Sequence, residues 1–86
     1  MKKRKTVIAA PPGATIEELL PDSGMSLKEF AARMEMPEKR CVKLLNGDIR
    51  LTDNIAKRLE SVFGLPTSFW CNLEAIYRGK LLEEEI

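Results

Sequence analysis

The stretch MEMPEKRCVKLLNG, residues 34–47, decides the fold. Its apolar positions recur at spacings of three and four residues, which predicts a short helix from about Pro37 to Asn46 with one buried face. Gly47 is the residue expected directly after such a helix, because glycine readily adopts the left-handed conformation that ends one. The buried face is predicted to consist of Cys41, Leu44 and Leu45.

A second helix is predicted immediately before this one. Ser26 followed by Glu29 is a capping-box pattern for its N-terminus. The turn after it falls at Glu35, where a left-handed conformation would cost on the order of 1 kcal/mol. Pro37 can then start the next helix, since proline is well tolerated at the first helical position. The apolar positions of the earlier helix are Leu27, Phe30, Ala31 and Met34.

Two short helices joined by a tight turn form a helix-turn-helix when they can pack against each other. The first helix needs a small residue where the second crosses it, and Ala31 occupies that position. The turn needs apolar side chains on both sides, and Met34 and Met36 supply them. The sequence therefore predicts a helix-turn-helix over residues 26–47.

The remainder of the chain is also helical in pattern, and no stretch alternates like a strand. Three further helices are predicted: Ala14–Asp22, whose end is disrupted by Pro21; a Thr52-capped helix that stops at Gly64; and a helix from about Thr67 to Gly79. Five helices with short connections and no linker predict a compact all-α domain. We expect residues 1–10 to be a basic arm, 11–79 the helix-turn-helix domain, and 80–86 an acidic tail.

Length and composition exclude several classes of protein. The 86 residues fit one small domain, and the net charge of +1 hides a basic start, KKRK, and an acidic end, EEE. No segment has the length of a signal peptide or a membrane span, so we expect a cytoplasmic protein. The chain has no histidine, and two cysteines 30 residues apart do not make a zinc site. We expect no enzyme activity, no metal and no cofactor.

The helix over residues 37–46 presents a basic polar face opposite its apolar face. Lysines there can pair with phosphate or guanine, and a valine can contact the thymine methyl group. We predict base contacts for Glu38, Lys39, Val42 and Lys43. We predict phosphate contacts for Lys28, Arg40, Asn46 and Arg50. The alternative reading of these side chains is a hydrated helix surface, and that of Asn46-Gly47 is a simple helix end.

Two other features have alternative interpretations. The aromatic-rich last helix could be entirely core, but in so small a domain we predict that it also forms a dimer interface. Cys41 lies among basic residues that could lower the pKa of its thiol and make it a redox sensor, although its inward position favours inert packing. The predicted interface residues are Phe69, Trp70, Leu73 and Tyr77.

Several motifs resemble the lambda-repressor-like (XRE) helix-turn-helix family. They are PPG before the first helix, the helix-turn-helix itself, LLNG, the LT-capped fourth helix, and GLPTSFWCNLEAIY, which is the most specific. Together they cover roughly residues 11–78. Within the family the chain is similar to HigA/VapI-type antitoxins, and also to modules that precede ImmA/IrrE-like metallopeptidase domains. It departs from the family at four positions: Glu35, Pro37, Cys41 and Val42.

The resemblance implies a homodimer that binds a palindromic operator on double-stranded DNA, usually its own promoter, with residues 39–46 in the major groove. For an antitoxin it also implies a cognate toxin, typically one that cleaves mRNA, as a protein partner. A different class of function is a protein-interaction or regulatory head of a longer metallopeptidase-containing regulator, with weak or no DNA binding. An adjacent toxin-like reading frame, or an in-frame HExxH continuation, would distinguish the two.

Overall fold

The computed structural model describes residues 10–85 and contains five helices. They are α1 (Pro12–Ser23), α2 (Leu27–Met34), α3 (Glu38–Asn46), α4 (Asp53–Phe63) and α5 (Thr67–Glu85). No strand occurs within residues 10–85. The all-α, five-helix prediction is therefore confirmed. The predicted basic arm lies, except for Ala10, outside the described residues.

Three helix ends lie where local sequence signals predict them. The Ser26 hydroxyl accepts a hydrogen bond from the Glu29 amide at 3.1 Å and caps α2. The Thr52 hydroxyl accepts one from the Ile55 amide at 3.3 Å and caps α4. Gly47 ends α3 in a left-handed conformation at φ 83°. Each cap satisfies backbone groups that a helix end would otherwise leave unpaired.

Three helices have boundaries that differ from the predicted ones. Helix α1 begins at Pro12 and continues through Pro21 to Ser23, because a proline in the last turn removes only one amide donor. Helix α3 begins at Glu38, and Pro37 is its N-cap with an extended ψ of 148°. Helix α5 does not end near Gly79 but continues to Glu85. Glycine costs a helix interior only about 1 kcal/mol relative to alanine, so residues 80–85 continue the helix.

The core joins all five helices. Helix α4 packs against α2 and α5, while α1 packs against α3 and also contacts α5. Trp70 and Phe30 are fully buried, and both of their rings contact that of Phe63, at centroid distances of 6.1 and 5.8 Å. The largest fully buried side chains are Trp70, Phe30, Ile16, Met34, Leu44, Leu59 and Cys41. This core fixes the orientation of α3.

Candidate nucleic-acid interface

The turn between α2 and α3 is tight and left-handed. Glu35 has φ 59° and is the only residue other than glycine with a positive φ among the described residues. The amide of Met36 donates to the Ala31 carbonyl at 3.0 Å, and the amide of Glu35 donates to the Ala32 carbonyl at 3.1 Å. These two bonds form a Schellman motif. The prediction that Glu35 is a strained turn residue is confirmed.

A side chain from α4 holds this turn in place. Arg58 Nη1 donates a hydrogen bond to the Met34 carbonyl oxygen at 2.9 Å and lies 3.4 Å from the Glu35 carbonyl oxygen. Both carbonyls lie at the C-terminal end of α2, where the helix dipole is negative and a cation is stabilising. Arg58 therefore connects α4 to the turn that sets the angle between α2 and α3.

The burial predicted for the helix-turn-helix is confirmed. Ala31 is buried on α2, which packs against α3, and Met34 and Met36 are buried on the two sides of the turn. On α3, Cys41 and Leu44 are buried, and Leu45 is partly buried against the core. One side of α3 is therefore buried in the protein interior.

The opposite side of α3 faces solvent. Val42 is 39% exposed, which leaves its methyl groups accessible. Exposed polar residues surround it on the same helix: Glu38, Lys39, Arg40, Lys43 and Asn46. All four residues predicted to contact bases lie on this exposed surface. Their roles as contacts stay a prediction.

The remaining predicted phosphate contacts lie on the neighbouring elements. Lys28 is exposed in the first turn of α2, and Arg50 is exposed in the connection between α3 and α4. A shallow concavity of about 270 Å³ lies beside α3 and is lined by Pro37, Lys39, Arg40, Lys43 and Ile49. Three cations around one depression suit the approach of a phosphate backbone.

The structure changes the predicted dimer interface. Trp70 is fully buried in the single chain, with its ring 5.2 Å from that of Phe69, and so has no surface to offer a partner. The interface prediction is wrong for Trp70. Phe69, Leu73 and Tyr77 are partly exposed on α5, and their role in an interface stays a prediction.

The two thiols are free, and neither is activated. Burial raises the pKa of the Cys41 thiol, and the negative charge of Glu38 raises it further. Complete burial of Cys41 and its raised pKa both favour inert packing over the redox-sensor alternative, since a reactive cysteine is exposed and has a lowered pKa. The Cys71 thiol donates a hydrogen bond to Asp53 Oδ1 at 3.3 Å, and this bond raises its pKa, with burial and the charge of Asp53 adding to the effect.

Three side chains important to the arrangement carried no signal in the sequence. Arg58 bonds the turn, Glu60 Oε1 accepts from the Thr67 amide at 3.1 Å at the start of α5, and Arg78 bonds the loop after α3. Each reads as an ordinary charged residue on the polar side of its helix. Their partners lie between 7 and 29 residues away, beyond the reach of helical periodicity. No helix among residues 10–85 has the length and hydropathy that crossing a membrane requires.

A helix-turn-helix whose second helix exposes a basic face defines a DNA-binding regulator. The Helix-turn-helix family model matches residues 16–70, more than half of the chain. The Uncharacterized HTH-type transcriptional regulator YddM of Escherichia coli (strain K12) is 38% identical over 63 residues, which span 73% of this chain and 67% of that protein. The chain belongs to the Helix-turn-helix family of transcriptional regulators.

Solved structures place it near the HigA-type antitoxins. An addiction module antidote protein of a HigA family from Coxiella burnetii superposes with a TM-score of 0.70 at 33% identity, covering 87% of this chain and 91% of that one. Pseudomonas aeruginosa antitoxin HigA, whose structure includes the higBA promoter, has the same fold, with a TM-score of 0.72 at 24% identity over 88% and 92% of the two chains. The resemblance to XRE-type helix-turn-helix proteins is confirmed.

Proposed function

We propose that this regulator is a HigA-like antitoxin that represses its own operon and neutralises a toxin encoded beside it. The observation that carries the DNA-binding part is the two-sided character of α3, which buries Cys41 and Leu44 and exposes Lys39, Val42 and Lys43. The antitoxin part is supported by the 33% identity to the HigA-family antidote protein. Such a regulator acts where the DNA is, and we place it in the cytoplasm.

In the proposed complex, α3 lies in the major groove. Lys39 and Lys43 would pair with guanine or phosphate, and Val42 would contact a thymine methyl group. Glu38 at the start of α3 would accept a hydrogen bond from a cytosine amino group. Phosphate contacts from the surrounding basic side chains would fix the register without reading sequence. The residues proposed to make them are Lys28, Arg40, Asn46 and Arg50.

A palindromic operator requires two copies of the chain, because each copy presents one recognition helix. We propose a homodimer in which Phe69, Leu73 and Tyr77 of α5 contribute to the interface. If each half-site engages ~3–4 phosphates, the plot of log affinity against log salt concentration should have a slope of about −5 to −7. Sedimentation equilibrium of the free protein would measure the dimer directly.

The test is titration of DNA from the chain's own promoter, in a salt series, with Lys43→Ala and the matched variant Lys57→Ala. Both remove one exposed lysine, but Lys57 is on α4 and not on the α3 face. If Lys43 contacts phosphate, binding to all sequences should weaken; if it reads a base, about 1–3 kcal/mol should be lost at one operator position. Equal losses in the two variants, or no salt-dependent binding by the parent chain, would contradict the proposal.

The toxin part is tested separately. The protein encoded next to this chain should co-purify with it at a fixed stoichiometry, and its RNA-cleaving activity should fall as this chain is added. An adjacent frame whose product neither binds nor is inhibited would contradict the antitoxin role and leave the DNA-binding role standing. An in-frame HExxH segment would support the regulatory-head alternative.

A further inference from the structure

Arg78 connects α5 to the loop that follows α3, the proposed recognition helix. Its Nε donates to Glu74 Oε2 at 2.6 Å, one turn earlier on α5. Its Nη2 donates to the backbone carbonyl of Ile49 at 3.4 Å, 29 residues away. The Arg78 side chain is 26% exposed and that of Glu74 is 13% exposed, so this ion pair is largely shielded from water. The guanidinium is therefore fixed by Glu74 through one nitrogen and bonds the loop at Ile49 through another.

The neighbouring Tyr77 packs against the end of α3. A Cβ at Gly47 would lie 2.9 Å from the Tyr77 hydroxyl oxygen and 2.8 Å from Pro11 Cβ, which shows how closely these groups surround the glycine. The guanidinium carbon of Arg78 lies 4.9 Å from the centroid of the Tyr77 ring, within cation–π distance. Helix α5 thus contacts the recognition helix at its C-terminal end.

The loop after α3 is fixed at three points. At its start, the Asp48 amide donates to the Lys43 carbonyl at 2.8 Å, and at its end Leu51 is buried in the core. Between these points the carbonyl of Ile49 is held by Arg78. The residue that follows Ile49 is Arg50, which is exposed.

We infer that Arg78 is a positioning residue for DNA binding, which holds the loop over residues 47–50 so that Arg50 meets a phosphate while α3 lies in the groove. This inference rests on the proposed DNA-binding function. Arg78 itself is a poor phosphate ligand, since it is paired with Glu74 and mostly buried. Arg78 therefore affects DNA affinity indirectly, because it fixes the loop that positions Arg50.

The experiment uses Arg78→Lys, which keeps the charge but lacks the planar fork needed to bond Glu74 and Ile49 together. The control is Arg33→Lys, in an exposed pair of the same i, i+4 spacing with Glu29, on α2. Affinity for the promoter DNA is measured for both variants, alone and combined with Arg50→Gln. Amide hydrogen exchange is measured on the free protein.

Arg78→Lys should weaken DNA binding about three- to tenfold and reduce the salt slope by about 2, because each of the two subunits loses one phosphate contact, worth about 0.9 in slope. In the Arg50→Gln background the same change should alter affinity less than about 1.5-fold, because coupled residues are not additive. Exchange should rise at the Asp48 amide, which donates to the Lys43 carbonyl, and stay unchanged in α2. Arg33→Lys should change neither the DNA affinity, nor the salt slope, nor the amide exchange of the loop.

Two results would overturn the inference. An equal loss of affinity with and without Arg50→Gln would show that Arg78 does not act through Arg50. Unchanged exchange at the Asp48 amide would show that Arg78 does not hold the loop, and this measurement needs no DNA. If the parent chain fails to bind promoter DNA, the proposed function fails, and exchange alone still shows whether Arg78 fixes the loop.

Discussion

The backbone of Leu45, on the recognition helix, lies directly against the Cα of Gly13, on the first helix. A Cβ at Gly13 would overlap the Cα, carbonyl carbon and carbonyl oxygen of Leu45. Glycine is needed here because its missing side chain lets two helix backbones touch. Helix α1 therefore sets the position of α3 through backbone contact. This contact explains the glycine of the PPG motif.

Gly13→Ala should destabilise the protein by about 1–3 kcal/mol, since a rigid backbone cannot move aside as a side chain can. The matched control is Gly79→Ala, a glycine inside α5 whose added Cβ meets nothing within 4 Å. That change should stabilise the fold by roughly 0.5–1 kcal/mol. Urea denaturation at one fixed protein concentration measures both. Equal effects of the same sign would refute the close-contact explanation.

Glu35→Gly should stabilise the protein by about 0.5–1 kcal/mol. The gain comes from relieving a left-handed conformation, partly offset by the greater freedom of glycine in the unfolded chain. The converse change is Gly64→Ala, at φ 84° with open space around the missing Cβ, and it should cost about 1 kcal/mol. Thermal melts of both variants give the two signs. Destabilisation by Glu35→Gly would mean that the glutamate side chain stabilises the fold by more than its left-handed conformation costs.

Arg58→Met should cost about 1–3 kcal/mol, because it leaves the carbonyl of Met34 without its charged donor while keeping most of the side chain volume. Arg33→Met is the control, since its ion pair with Glu29 is exposed and worth at most about 0.5 kcal/mol. Hydrogen exchange should increase at Met36 in the Arg58 variant. Similar stability of the two variants would show that Arg58 does not support the turn.

The cysteines predict a loss of stability at high pH. Both thiols have a raised pKa in the folded protein, so the folded state binds their protons more tightly than the unfolded state does. The resulting stabilisation is fully present below the unfolded thiol pKa of about 8.5 and is lost as pH rises through the folded values. Denaturation at pH 7 and at pH 10 measures the effect, with Cys41→Val expected to reduce it.

Thiol labelling provides an independent check of the same burial. Cys71 is partly exposed and should react with a thiol-specific reagent in the native protein, slowly because Asp53 holds its proton. Cys41 is fully buried and should react only when the protein unfolds. Rapid labelling of native Cys41 would contradict its position in the core.

The sequence by itself determined the elements that depend on neighbours a few residues apart. Ser26 and Thr52 cap their helices because each hydroxyl reaches an amide three residues on. The buried face of α3 and its exposed basic face follow from helical periodicity alone. These interactions join residues within a single helical turn, so the spacing of residues in the sequence is enough to predict them.

Only the tertiary structure decided which surfaces meet. Periodicity shows that Trp70 has an apolar environment, but not that the domain buries it completely and leaves no surface for a partner. Arg58 and Arg78 look like surface charges until α4 and α5 bring them to carbonyl oxygens 24 and 29 residues away. The contact of Gly13 with Leu45 depends on the angle at which two helices cross. That angle is set by the packing of the whole core, and no local pattern carries it.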